Sequence, residues 1–388
     1  MFAAAHFQTA LQLVQTYRGE VPFAHFLKAY FSQHKKHGSR DRKQISQCCY
    51  AFFRMGHAIP DIPPERRMLM GLFFSATEPN PLLEALSPEW NAAAGLALAE
   101  KIGLSGLTPE ALTIFPWTNL LSDPIDSQAF SISHLVQPKL FIRIRPGHHE
   151  QVIHRLEEKW IPYTEPYPFA IALPNGYNAA NDFSLNREIV VQDLSSQKTG
   201  AALKLIPRET YQQPSFRIWD ACAASGGKSM LTLDQFPQAT LTVSDIRNSI
   251  LDNLATRFKE AGIRRYTRIE ADLSVTAPDL PQQQLIIADL PCTGSGTWAR
   301  TPEQLCFFDP AAIGRFAELQ RSISRNILLR LASGGFFLYI TCSAFRAENE
   351  DNVLWLQQHF PLEVVHQEVI GGYTEQADSM FFSLMRLT

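Results

Sequence analysis

The chain has 388 residues, 45% of them hydrophobic and only 19% charged, with 20 Gly and 25 Pro that follow no period. That composition excludes a disordered tail, a collagen-like fibre and a coiled coil, and the length predicts two or three globular domains. A net charge of -3 argues against a surface that coats nucleic acid all over, although an average can conceal a local patch. No apolar run approaches the roughly 18 residues that a bilayer span needs, and the opening residues lack the basic region of a secretory signal. A soluble, cytoplasmic, monomeric protein with no membrane and no metal partner is therefore expected. Cys48, Cys49, Cys222, Cys292, Cys306 and Cys342 are too few and too irregularly spaced for a disulfide framework or a zinc site, so free thiols are expected.

Residues 1–125 read as an all-helical domain, because apolar residues recur every three and four positions, as in Ile45, Cys48, Cys49, Phe52 and Phe53. The first 70 residues carry Arg18, Lys28, Lys35, Lys36, Arg40, Arg42, Lys43, Arg54, Arg66 and Arg67 against Glu20, Asp41, Asp61 and Glu65. That basic excess suits a phosphate backbone. Within it, residues 34–43 read as a turn followed by a helix start, with Ser39 as the cap. Residues 126–189 read as a small α/β module, with strands at 140–144, 170–173 and 189–191 and a helix at 150–160; Arg143 and Arg145 share one face of its first strand.

From residue 190 the pattern becomes strand, loop, helix, repeated through RIWDACA, TLTVSD, YTRIEAD, QLIIADLP, GGFFLYITCS, LEVVHQEV and MFFSLMRL. Seven such strands predict a doubly wound, mostly parallel α/β sheet, whose ligands bind beyond the carboxyl ends of the strands. The polar motifs lie at those ends. Asp220 opens DACAASGGK, whose small residues let backbone amides approach a ligand. Asp245 ends the next strand, close to the 20-residue offset at which an acid accepts ribose hydroxyls, and Asp272 and Asp289 end the two after it. Four carboxylates so placed repel one another unless a polyhydroxylated or cationic ligand lies among them. No GxGxxG follows the first strand, and GGKS lacks the lead-in of a phosphate loop. An adenosine bearing a sulfonium fits better, which points to S-adenosylmethionine. Cys292 and Cys342 each close a predicted strand, so if those strands are neighbours both thiols face one pocket.

The segments QDLSSQ (192–197), DACAASGGK, ADLPCTGSG and YITCSAFRAENEDNV resemble, in order and spacing, the motifs of the RNA cytosine-5 methyltransferase family, in particular its bacterial Fmu/Sun group. Residues 26–54 look like the NusB-like helical domain of those enzymes, and the middle module resembles their RNA-recognition-like extension. The resemblance implies a methyltransferase-type sheet that binds S-adenosylmethionine through Cys222, Ala223, Ala224, Ser225, Gly226, Gly227, Lys228, Asp245, Asp272 and Asp289. It also implies that Cys342 is the nucleophile and that Cys292 assists product release. In that scheme Asp289, joined by Lys228, holds the base, and the expected product is 5-methylcytosine in RNA. Ribosomal RNA is the expected partner, with transfer RNA, or a silent RNA-binding assembly factor, as the alternatives. Ser225 stands where the family usually has Pro, and Leu194 where it usually has an acid. A helix suggested over 348–358 would aid Cys342 with its amino-terminal dipole if Glu348, Glu350 and Asp351 face outward, as expected.

Overall fold

In the computed structural model, which describes residues 2–213 and 215–388, four short strands come first. They are β1 (Leu140–Ile144), β2 (Thr164–Tyr167), β3 (Ala170–Leu173) and β4 (Ile189–Val191), joined in the order β2-β3-β1-β4. All three pairings are antiparallel. The helix His149–Glu158 buries Val152 and Leu156 against Ile142, Ile144, Ile171 and Leu173. Strand β2, TEPY, is absent from the sequence reading because it is a polar, Pro-containing edge strand that shows no apolar alternation. Arg143 and Arg145 do not solvate an edge. Both pair with Asp234 of the helix Gly227–Gln235, at 2.5 and 2.7 Å, which ties this module to the larger sheet.

The seven apolar stretches after residue 190 all pair as strands: β5 (Arg217–Asp220), β6 (Thr240–Asp245), β7 (Tyr266–Glu270), β8 (Gln283–Asp289), β9 (Leu331–Thr341), β10 (Leu362–Ile370) and β11 (Met380–Leu387). Their order is β10-β11-β9-β8-β5-β6-β7, parallel except for the contacts that β11 makes. Both faces of this sheet are covered, which explains the near-continuous apolar strands. Along β8, Leu285 and Ile287 join Leu254 and Phe258 on one face, while Ile286 and Ala288 join Ile323 and Ile327 on the other. The chain runs outward from β5 through β6 to β7, then returns to place β8 on the other flank of β5. The reversal between β5 and β8 opens a crevice at the carboxyl ends of the strands.

Packing divides the chain differently from the lines that composition draws at 125/126 and 189/190. One unit holds residues 120–125, 138–296 and 311–388; the other holds 2–119, 126–137 and 297–310. The second unit is helical, built on Phe2–Thr16, Phe23–Gln33, Ser39–Arg54 and Pro64–Ser75. It is completed by the helix Pro302–Phe307, whose Leu305 is fully buried and whose Cys306 thiol reaches the Phe53 carbonyl. A cut at residue 125 would therefore strip residues 126–137 and 297–310 of the helices they pack on. Ser39 is the first helical residue, and the cap position belongs to Gly38, whose N–H donates to Asp41 at 2.9 Å. Among the described residues no helix is long and apolar enough to cross a membrane.

Two members of the basic excess are unavailable to phosphates. Arg67 is buried and donates to the Ala58 and Gly56 carbonyls. Arg54 is 5% exposed, and its Nη1 donates to the carbonyls of His134 at 2.9 Å, Val136 at 3.3 Å and Ala299 at 2.9 Å. It thus joins all three segments of the helical unit. Arg54→Ala leaves those acceptors without their donor and is expected to cost about 2–4 kcal/mol of stability. Urea denaturation of the full chain measures this, and an unchanged midpoint would show that the helical unit does not depend on the junction.

Candidate active site

The crevice between β5 and β8 opens into a cavity of about 550 Å³. Its wall includes Cys222 and Ala224 from the loop after β5, Asp245 from the end of β6, Asp272 and Ser274 beyond β7, Asp289 at the end of β8, and Cys292 and Cys342 beyond β8 and β9. Of the residues expected to hold a ligand, Cys222, Ala224, Asp245, Asp272 and Asp289 reach this wall. Ala223, Ser225, Gly226, Gly227 and Lys228 are not part of it. Gly226 caps the helix Gly227–Gln235 at φ +83°, and a Cβ there would come within 2.6 Å of the Phe258 ring. Its glycine is required by packing and backbone conformation. Ser225 accepts from Arg257 through both its hydroxyl and its carbonyl oxygen.

The acids divide into different roles. Asp245 accepts from Ala224 N–H at 3.1 Å and Arg247 Nη2 at 3.4 Å on one oxygen and from Arg247 N–H and Nε at 2.9 and 3.1 Å on the other. Each oxygen has two lone pairs and these four donors occupy them, so a ligand hydroxyl reaches this carboxylate by displacing the exposed Arg247 side chain. Asp272 lies two residues beyond β7 and is held by the Ser274 N–H and hydroxyl. Asp289 pairs with Lys228 at 3.0 Å, and the same ammonium donates to Ser196 at 2.7 Å. Asp220 is the exception in the array. It is fully buried behind the loop, accepts from the Ser229 hydroxyl at 2.5 Å, and is pushed up to about 7 by burial.

Adjacent parallel strands deliver the two thiols. Asp289 of β8 pairs with Ile340 of β9, and the chain beyond each strand places Cys292 Sγ 3.2 Å from Cys342 Sγ, with both cysteines free. The hydrogen bond to Cys342 and burial hold the Cys292 thiol well above its ordinary range. Cys222, also on the wall, is raised by burial and by the surrounding carboxylates, which leaves it a poor nucleophile.

The three acids after Cys342 do not face outward together. Glu348 is fully buried and accepts from Thr293, Ser343 and Gln320. Glu350 accepts from the Ser122 hydroxyl at 2.8 Å, and only Asp351, paired with Arg346, lies at the surface. An acid run reads as solvated when only its composition is visible. The available signal for Glu348 is the hydroxyl residue that follows each cysteine, which supplies it with donors.

Residues 204–382 match the family model described as 16S rRNA methyltransferase RsmB/F. The ribosomal RNA small subunit methyltransferase B of Salmonella paratyphi A is 29% identical over 266 residues, covering 64% of this chain and 59% of its own length. The protein of the same name from Salmonella heidelberg gives the same figures. The chain thus spans about three fifths of the length of the curated relatives it matches. Among solved structures, PH0851 is 18% identical with a TM-score of 0.69, over 97% of this chain and 96% of that one. NSun6 from Pyrococcus horikoshii, solved with SFG, is 15% identical with a TM-score of 0.58, over 70% of this chain and 96% of that one. At these identities the structural likeness concerns the fold.

The state of Asp220 sets a pH dependence. Its folded value of about 7 lies above the ordinary 3.8, so between those limits the folded chain holds a proton that the unfolded chain has released. Its contribution to stability is therefore present below pH 4 and is lost as pH rises toward 7. Asp220→Asn removes this dependence. The variant is expected to gain a few kcal/mol relative to the parent between about pH 4 and 7, read from denaturation midpoints across that range. A constant difference between the two proteins would show that Asp220 does not titrate there.

Proposed function

We propose that this chain, which matches the RsmB/F methyltransferase family model over residues 204–382, transfers a methyl group from S-adenosylmethionine to carbon 5 of a cytosine in ribosomal RNA. One observation carries the reading: two free thiols in contact, at the ends of neighbouring strands, on the wall of an acid-lined cavity. The name of the curated relatives supports the RNA class. The cofactor assignment is supported by Asp245 at the end of β6, a cavity-wall carboxylate that suits a ribose diol once the exposed Arg247 side chain moves aside, and by Asp272 on the same wall. NSun6, which shares the fold, was solved with SFG, an analogue of that cofactor. When bound, S-adenosylmethionine supplies an electrophilic methyl on a sulfonium.

Carbon 5 of cytosine is a weak nucleophile. Addition of the Cys342 thiolate at carbon 6 makes a C–S bond and moves the electron pair of the 5,6 double bond toward carbon 5, which then takes the methyl. Asp289 accepts from the exocyclic amine, and Lys228 beside it donates to the ring nitrogen. The carbon 5 proton then leaves to a base, the 5,6 double bond re-forms, and the electron pair of the breaking C–S bond returns to Cys342. Cys292, in contact with that sulfur and holding its own proton, assists its departure. The base must leave its stack to reach the sulfurs.

Cys342→Ala is expected to abolish methylation of ribosomal RNA and to form no covalent complex. Cys292→Ala should still attack and methylate, yet release poorly, accumulating an adduct that survives denaturing electrophoresis. The opposite pattern would make Cys292 the nucleophile, and full activity of both variants would remove covalent catalysis by these thiols. The cofactor assignment has its own test. Asp245→Ala should weaken S-adenosylmethionine binding by about 1.5–3 kcal/mol, roughly tenfold or more; unchanged affinity by calorimetry removes Asp245 from that site.

A further inference from the structure

Glu348 is fully buried, and its bonding partners are neutral groups. The Thr293 N–H and the Gln320 amide donate to one of its oxygens, at 3.0 and 2.9 Å, and the Thr293 and Ser343 hydroxyls both donate to the other at 2.6 Å. A buried carboxylate is costly to desolvate, and four donors are what offsets that cost. The choice of donors matters. Thr293 directly follows Cys292, and Ser343 directly follows Cys342, so one carboxylate holds the residue after each sulfur.

Neighbouring strands stand about 4.8 Å apart, whereas the two sulfurs are 3.2 Å apart. The ladder alone does not produce that contact; the loops beyond it must be drawn inward. Two backbone links repeat the tie without the carboxylate. Ala344 N–H donates to Ser295 Oγ at 2.8 Å, and Gly296 N–H donates to the Cys342 carbonyl at 2.9 Å. The first lies farther along the loops than Thr293 and Ser343, the second ends on Cys342 itself, and the Thr293 and Ser343 hydroxyls also lie 3.2 Å apart; Glu348 is the group that gathers both hydroxyls onto one oxygen. We propose that Glu348 is a positioning residue that clamps the two cysteine loops together and sets the contact between Cys292 and Cys342. Its charge acts in the same direction, since it contributes to keeping the Cys292 thiol protonated and hence able to donate to Cys342. The clamp matters for catalysis only through the assignment of the thiols made above, but the contact it sets can be measured without RNA or cofactor.

Diamide takes two electrons and two protons from a thiol pair and leaves a disulfide, so its rate of forming Cys292–Cys342 in the full chain reports how often the sulfurs meet. Glu348→Ala is expected to slow this cross-link by about tenfold or more, as followed by peptide mass spectrometry. Glu348→Gln keeps the shape; its oxygen can accept from the Thr293 N–H and Gln320 while its NH2 donates to the Thr293 and Ser343 hydroxyls, which turn to accept, so it should restore most of the rate. It also removes the charge, so in a Cys342→Ser background the pH midpoint for alkylation of Cys292 should fall by about one unit. A purely structural role would leave that midpoint in place. Should Glu348→Ala misfold, Ser343→Ala removes one arm and Thr293→Val weakens the other to its N–H bond alone, and each should slow the cross-link. Wild-type cross-linking in folded Glu348→Ala, or in both single-arm variants, overturns the clamp, and an unmoved midpoint in Glu348→Gln overturns the contribution of charge. Failure here leaves methyl transfer standing, and absence of methyl transfer leaves the cross-link readable.

Discussion

The parallel pairing of β8 with β9 is the constraint on which the candidate site depends. Asp289 and Ile340 are partners in that ladder, and the Leu290 N–H continues it to the Ile340 carbonyl at 2.9 Å. Because side chains alternate across a sheet, a slip of one residue would exchange the two faces of β9 and carry Phe337 and Tyr339 out of their cluster. Register is therefore held by burial on both faces, and the position of the thiols is inherited from it. Gly296 adds a second restraint. A side chain there would run into the Ser379 carbonyl oxygen, so the Cys292 loop closes against the start of β11 only with glycine at that position.

The larger sheet was legible because its strands are apolar on both faces and are punctuated by polar residues at one end. The same punctuation located Asp245, Asp289, Cys292 and Cys342, all of which reach the cavity wall. What escaped reading was the set of polar residues whose partners are distant in sequence. Arg54 and Arg67 look like members of a basic surface, and Glu348 like a member of a solvated acid run, until carbonyls and hydroxyls from elsewhere in the chain surround them. Asp220 shares the strand-end position of the other acids but points behind the loop, a distinction made by the direction of one side chain. Strand β2 escaped for the opposite reason, because an edge strand has too little buried surface to show a pattern.

The cavity wall is arranged before any ligand arrives. Asp245, Asp272 and Asp289 are each fixed by a neighbour, Asp245 on both oxygens and the other two with acceptor capacity left. Carboxylates oriented in advance need little reorganisation when a hydroxylated ligand binds, which favours affinity without demanding movement of the sheet.

The helical unit draws its last segment from residues 297–310, and Arg54 meets the Ala299 carbonyl across 245 positions of sequence. A ribosome adds residues at about 5–20 per second, so Arg54 emerges roughly 12 to 50 s before that acceptor exists. Throughout that interval the nascent helices lack Leu305 in their core and one acceptor at their buried arginine. The helices of this unit thus wait, half assembled, until the chain beyond β8 has been translated through residue 310.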